Sequence, residues 1–286
     1  MATVYFGNLR KAVSLPAPQT GMEATAFGRI EKIELANGGS FVSQSMATHQ
    51  EYEMSWGVTD ASLLAPLYEF RRGLHGNGLL YYCDPFISNA LPPHWADPVL
   101  SAQDWPSLYR AGYPANIAYN GDIPAAATYN LTAPRTEELP ARAAVLLLPP
   151  GKTLWAGFSG SAVGGAGVYA RTIGLDGSVG SPTALTLLNP AGSTRMNVSY
   201  SSASASAVLF YLDTNVAGAA SVTLHNAMAV YADTGSPPSL TGAHIPGEGH
   251  TGLRFQSEPL KTHVMQRNNK KFITAAASFT EVGAWL

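Results

Sequence analysis

Tyr52, Met54 and Trp56 alternate with Glu51, Glu53 and Ser55, the period of a strand with one face buried and the other wet. Upstream, the stretches 28–35 and 41–43 flank Asn37-Gly38-Gly39, residues that accept positive φ and so predict a hairpin. At Asp60 the period changes. Leu63, Leu64, Leu67 and Tyr68 fall at helical spacing, Asp60 stands where an N-cap belongs, and Gly73 closes the helix behind Arg71 and Arg72. Pro66 limits this element to a short helix ending near Arg72. Residues 79–83 return to strand and lead into an aromatic- and proline-rich segment from Tyr81 to Asp97.

Between residues 95 and 140 no strong period survives, which predicts a long irregular connection with a strand near Ile117 and a domain boundary within it. Short apolar runs then follow at 143–148, 153–158, 167–173, 184–188, 196–200, 207–212 and 222–231. Turn signals such as Pro149-Pro150-Gly151 and Leu175-Asp176-Gly177-Ser178 separate them, and a further hairpin turn is expected at 157–161. Strands at about 8 to 12 residue spacing suggest a β-sandwich of jelly-roll type. The Ser/Ala alternation at 201–207 reads as small residues packed tightly before a strand. After a glycine-rich turn region at 244–252 come an extended stretch at 252–256 and a final β-like stretch at 272–285, expected to dock in a sheet.

Composition narrows the function classes. Only 13% of the 286 residues are charged, about half the usual share of roughly 25%, and Gly, Ser, Thr, Asn and Pro take their place, as suits turn-rich β structure and charge-depleted interfaces. The net charge of −2, with Arg71-Arg72 and Lys270-Lys271 as the basic knots, gives no phosphate-binding track, so nucleic acid is not expected as a partner. Cys83 is the only cysteine, which excludes an internal disulfide and a zinc site of several thiolates. The N-terminal residues lack the basic start and apolar stretch of a secretory signal, and the run 143–148 falls far short of the roughly 20 residues of a membrane helix. Synthesis in a reducing cytoplasm and no membrane insertion are expected.

Several patterns touch known chemistry. Gly247, Gly249 and Gly252 satisfy G-x-G-x-x-G, but no strand leads in and Leu253-Arg254-Phe255-Gln256 looks extended where a dinucleotide fold needs a helix. His244, Glu248 and His250 offer metal-ligand types without a compact metal spacing, and read better as a surface loop. Gly157-Phe158-Ser159-Gly160-Ser161 misses the nucleophile elbow by one position, and Gly164-Gly165-Ala166-Gly167 lacks the Lys-Ser/Thr of a phosphate loop. Asp84, Asp97 and Asp104 lie near aromatics, as glycosidase carboxylates do, yet Asp84-Pro85 and Asp97-Pro98 are turn-starting dipeptides. No catalytic residue, cofactor or metal is assigned, and the chain is not expected to be an enzyme.

The words Gly73-Leu74-His75-Gly76-Asn77-Gly78-Leu79-Leu80-Tyr81-Tyr82-Cys83-Asp84-Pro85, Asn89-Ala90-Leu91-Pro92-Pro93-His94-Trp95-Ala96-Asp97-Pro98, Gly247-Glu248-Gly249-His250-Thr251-Gly252-Leu253-Arg254-Phe255 and Thr280-Glu281-Val282-Gly283-Ala284-Trp285 resemble minor tail proteins of siphophages that infect actinobacteria, similar to distal tail proteins. The resemblance covers both ends of the chain. It implies a mostly β protein: a ring-forming β domain from residues 1–112 plus 243–286, and a central galectin- or carbohydrate-module-like sandwich at 113–242. It further implies a virion protein at the tail tip, a ring of identical copies (a hexamer in that family), and tail tube and hub or baseplate proteins as partners.

Pro92, Pro93, Trp95 and Trp105, with Trp285 near the end, are the interface candidates, because rigid aromatic and proline side chains bind at low entropy cost. The competing reading is a glycan- or receptor-binding tail protein that holds host cell-wall sugar on Trp155 or Tyr169, residues that alternation along a strand reads equally as core.

Overall fold

The computed structural model describes residues 3–19, 23–27, 30–34, 40–44, 49–85, 88–96, 116–120, 123–136, 143–189, 196–233, 238, 247–249 and 252–282. In chain order its elements are β1 (Thr3–Asn8), β2 (Lys11–Pro16), β3 (Glu23–Phe27), β4 (Ile30–Glu34), β5 (Ser40–Gln44), β6 (His49–Asp60), α1 (Ala61–Arg71), β7 (Tyr81–Cys83), α2 (Pro93–Ala96), β8 (Asn116–Asn120), β9 (Ile123–Leu131), β10 (Ala144–Leu147), β11 (Lys152–Val163), β12 (Ala166–Gly174), β13 (Thr183–Ala184), β14 (Val198–Ser201), β15 (Ala205–Thr214), β16 (Ala220–Asp233), β17 (Gly252–Phe255), β18 (Leu260–Arg267) and β19 (Lys270–Val282). The protein is mostly β, and its strand pairings are antiparallel. No described helix is long and apolar enough to cross a membrane.

Local chemistry explains the elements that the sequence announces. Tyr52, Met54 and Trp56 are all buried on one face of β6, and the Trp56 indole N–H donates to the Pro16 carbonyl at 2.8 Å. Asp60 caps α1 by accepting from the Ser62 backbone N–H at 3.0 Å. At the other end Gly73, with φ +72°, donates to Phe70, and Leu74 donates back to Glu69 at 3.1 Å, the bond pattern of a Schellman cap. Pro66 lies inside the helix, which buries Leu64, Leu67 and Phe70 regardless. Packing of that stripe outweighs the single backbone donor that proline lacks.

Two of the sequence expectations fail for visible reasons. Residues 157–161 form no hairpin turn; they are the middle of β11, where a bulge between Ser159 and Gly160 shifts the register against β16. A Cβ on Gly160 would stand 2.1 Å from the Thr223 carbonyl oxygen, so this glycine serves close backbone approach. The turn itself is Gly164-Gly165, both at positive φ, and it carries the chain from β11 in one sheet to β12 in the other. The irregular connection expected up to residue 140 contains β9, which pairs with both β8 and β16.

The described residues build two apolar cores. One combines the ends of the chain: Val4, Phe6 and Leu15 with Tyr52, Met54, Trp56, the buried side of α1, Leu80, Leu253 and Phe279. Phe6 is its hub, with ring centroids 5.6 Å from Phe70 and 5.4 Å from Phe279. This core rests on the sheet β17-β19-β6-β3, with β18 also on β19. The other core lies between the sheets β10-β15-β12-β13 and β14-β11-β16-β9-β8, whose Phe158, Phe210, Val168, Leu154, Val222 and Tyr231 are all buried in it.

The three-stranded sheet β2-β1-β7 separates the cores and serves both. Val4, Phe6, Val13, Leu15 and Tyr82 belong to the terminal core, while Tyr5, Ala12, Tyr81 and Cys83 belong to the central one. The period-2 rule thus puts alternate residues of the same strands into different cores. A sheet covered on both faces reads as a continuous apolar run, as residues 79–83 do.

Candidate functional site

The segment that follows β7 is a wedge against the exposed edge of β16. Strand β9 pairs with β16 only over Ala220–Leu224, and beyond that point Asn89, Ala90 and Leu91 take over. The Ala90 N–H donates to the Ala229 carbonyl at 2.7 Å. Asn89, wholly buried, completes the ladder with its side chain: its Nδ2 donates to the Ala227 carbonyl at 3.1 Å, and its Oδ1 accepts from the Ala229 N–H at 3.0 Å and the Leu91 N–H at 3.2 Å. An asparagine is suited to this place because it carries both a donor and an acceptor and imitates a peptide unit.

Residues 247–249 lie on the outer side of that wedge. The Glu248 N–H donates to the Asn89 carbonyl at 2.9 Å, the Gly249 N–H donates to the Leu91 carbonyl at 3.0 Å, and the Glu248 carboxylate accepts from the Ser88 N–H at 2.9 Å. The glycines of G-x-G-x-x-G now have a physical reason. A Cβ on Gly249 would sit 2.1 Å from the Ala90 carbonyl oxygen, one on Gly247 2.4 Å from that of Leu91, and one on Gly252 2.5 Å from the Leu79 side chain. The motif keeps two backbones in contact, where dinucleotide folds use it to admit a pyrophosphate. One residue past Gly252, Leu253 exchanges a pair of backbone hydrogen bonds with Leu80, at 2.7 and 2.9 Å. The described residues of these two stretches, 79–85 and 88–96 with 247–249 and 252–253, far apart in sequence, are therefore one structural unit.

The expected interface residues fall unevenly. Trp95, on α2, is buried in the chain's own central core, edge-on to Phe158 with ring centroids 6.0 Å apart. Pro92 is also buried, and its carbonyl accepts from the N–H groups of Trp95 and Ala96, which starts the helix. Sequence reading offers these two side chains to a partner; the structure gives them to the protein's interior, because the wedge has to fill the space between β16 and the 247–249 segment. Pro93 begins α2. Trp105 and Trp285 lie outside the described residues, as do Asp97, Asp104, His244 and His250.

Cys83 is buried with a free thiol. Burial, partly offset by its hydrogen bond with the Tyr231 hydroxyl, pushes the thiol up to about 12, and the same hydroxyl donates to the Leu147 carbonyl at 2.7 Å. A protonated, enclosed thiol of this kind is a packing group and a poor nucleophile. Neither aromatic of the glycan reading is a free platform. Tyr169 is 7% exposed, its ring lies 6.2 Å from that of Tyr211 and its hydroxyl donates to the Gly165 carbonyl at 3.1 Å. Trp155 is half-buried, its indole N–H closed off from solvent without a hydrogen-bond partner among the described residues.

Sequence reasoning missed Asn89. The signal was present in Asn89-Ala90-Leu91-Pro92, a polar residue ahead of small and apolar ones in a proline-rich stretch, but its partners Ala227 and Ala229 are remote in sequence.

No family model matches the chain, and no curated protein matches it. Among solved structures, the crystal structure of the infectious bursal disease virus VP2 subviral particle aligns at 12% identity over 99% of this chain and 80% of that one, with a TM-score of 0.19. A structure of the Gx strain of infectious bursal disease virus aligns at 14% identity over the same shares, with a TM-score of 0.18. At such TM-scores the likeness carries no argument about fold or function.

Proposed function

We propose that the protein is a structural subunit of a siphophage tail tip, forming a ring of identical copies that connects the tail tube to the baseplate or host-recognition apparatus. The observation that carries this reading is the union of the quoted tail-protein words in one place. Within the segments whose wording resembles distal tail proteins, Leu80 and residues 89–91 meet residues 248–249 and Leu253 beside β16 and tie the terminal core to the central one. Residues that could have signalled chemistry are used for packing in this unit: the glycines for backbone contact, Glu248 for the Ser88 N–H and Cys83 for the shared sheet. A subunit that transmits load between a tube and a host-contacting module needs such a joint between its two parts. In this reading the ring-forming body is the one built from the chain ends, the central two-sheet body projects from it as a jelly-roll or galectin-like sandwich, and the partners are further copies, the tail tube protein and the hub or baseplate proteins.

The test is assembly. Purified protein mixed with tail tubes lacking their tips is expected to cap one end of each tube in electron micrographs and to co-sediment with them. Tubes that remain bare at both ends with the protein in excess would overturn the proposal.

A further inference from the structure

All eight residues of β18 are exposed, and among the described strands it pairs with β19 alone. Its other edge therefore offers backbone donors and acceptors that are unpaired among the described residues. On one face, Lys261 and His263 line a cleft of about 610 Å³ shared with Lys271 of β19, with Tyr68 and Glu69 of α1 and with Arg72 just past its end. The Lys261 ammonium lies 5.2 Å from the centre of the Tyr68 ring, and the Tyr68 hydroxyl is closed off from solvent without a hydrogen-bond partner among the described residues. The cleft's carboxylate, Glu69, is engaged with His75 at 2.9 Å. Three basic side chains, those of Lys261, Lys271 and Arg72, thus line a cleft whose one carboxylate among the described residues, Glu69, is hydrogen-bonded to His75. By alternation Leu260 and Thr262 point to the opposite face, and exposed apolar side chains frame the region: Leu260 at 73%, Leu74 at 69%, Met265 at 48% and Val264 at 42%.

Charged residues on an edge strand often do no more than discourage strand pairing. An edge needing only that protection would not also expose Leu260, Val264 and Met265. We infer that β18 receives an extended segment of another protein in which carboxylate and aliphatic side chains alternate. The segment pairs backbone to backbone with the open edge. Its carboxylates enter the cleft beside Lys261, Lys271 and Arg72, and its aliphatic groups cover Leu260 on the other face. Charge complementarity selects the partner, and a basic segment is rejected by the same cations. The inference stands apart from the tail-tip reading and holds or fails without it.

The probe is a fluorescein-labelled heptapeptide of alternating glutamate and valine, titrated into the full chain and followed by anisotropy, with a lysine–valine peptide as control. Saturable binding is expected for the acidic peptide only, weakened about tenfold or more by Lys261→Glu with Lys271→Glu and by raised salt. Hydrogen exchange on the unaltered chain should slow at residues 260–267 when the acidic peptide is bound, a readout that does not depend on the variants folding. Absence of saturable binding, equal binding of the two peptides, or unchanged exchange at 260–267 would overturn the inference. So would protection of 260–267 by concentration alone, which would make a second copy the occupant.

Discussion

Replacing Asn89 by alanine withdraws one donor and one acceptor from a fully buried place. The carbonyl of Ala227 and the N–H groups of Ala229 and Leu91 lose the partners they hold at 3.1, 3.0 and 3.2 Å. A buried polar group left without a partner costs about 1 to 3 kcal/mol. Partial relaxation and water entry lower the sum of three, so a loss of about 3 to 5 kcal/mol is expected, a large fraction of the roughly 5 to 15 kcal/mol by which domains are stable. Urea unfolding followed by circular dichroism reads this directly. With a slope of about 2.5 kcal/mol per molar, the midpoint for the central body falls by about 1.2 to 2 M. Tail-tube capping should fail under conditions where the variant's wedge is open. A midpoint shift below about 0.4 M, or about 1 kcal/mol, would refute the reasoning, since it would mean that Asn89 does not hold residues 89–91 to β16.

Further outcomes follow from the same contacts. Gly249→Ala sets a Cβ against the Ala90 backbone at 2.1 Å and is expected to cost 2 kcal/mol or more, about the scale of overpacking. Gly78→Ala, whose Cβ would have the Asn8 side chain 4.0 Å away, should leave the urea midpoint within about 0.5 kcal/mol of the unaltered protein. Trp95→Ala empties a core position next to Phe158 and should lower stability by about 3 to 5 kcal/mol, with no separate effect on subunit contacts once folding is corrected for. Cys83 is raised from an ordinary 9.0 to about 12, so the folded state favours the neutral thiol. Its contribution is complete below pH 9 and is lost as pH climbs from about 9 towards 12. Urea midpoints at pH 8, 9.5 and 11 should therefore fall more steeply for the unaltered chain than for Cys83→Ala, and a thiol reagent at pH 8 should label Cys83 only after unfolding.

What was legible in the sequence was local. The Tyr52-Met54-Trp56 face, the Asp60 cap and the Gly73 terminator each depend on neighbours within a few residues, and each appears in β6 and α1 as its chemistry requires. The run 222–231 could be seen as β because its apolar residues are bounded by turn signals, and it lies within β16, where Val222 and Leu224 are buried while Thr223 and His225 are half-buried. Strand β9 was hidden because Ile123-Pro124-Ala125-Ala126-Ala127 carries small side chains and a proline, and its identity as a strand comes from Thr223 and Leu224 across the ladder. β18 was hidden for the opposite reason: with every residue exposed, it has no buried face to leave a period. Trp95 was read as an anchor for others because aromatic richness near prolines marks interfaces and core wedges alike. Only the distant Phe158 decides between them.

If copies of this chain assemble into a closed ring at a tail tip, negative-stain imaging of the purified full chain will show it. Head-to-tail contacts between identical subunits must close to give a ring, so the expected images show annular particles with a constant subunit number, six if the resemblance holds. Monodisperse single copies at the highest attainable concentration, or open filaments of variable length, would contradict it.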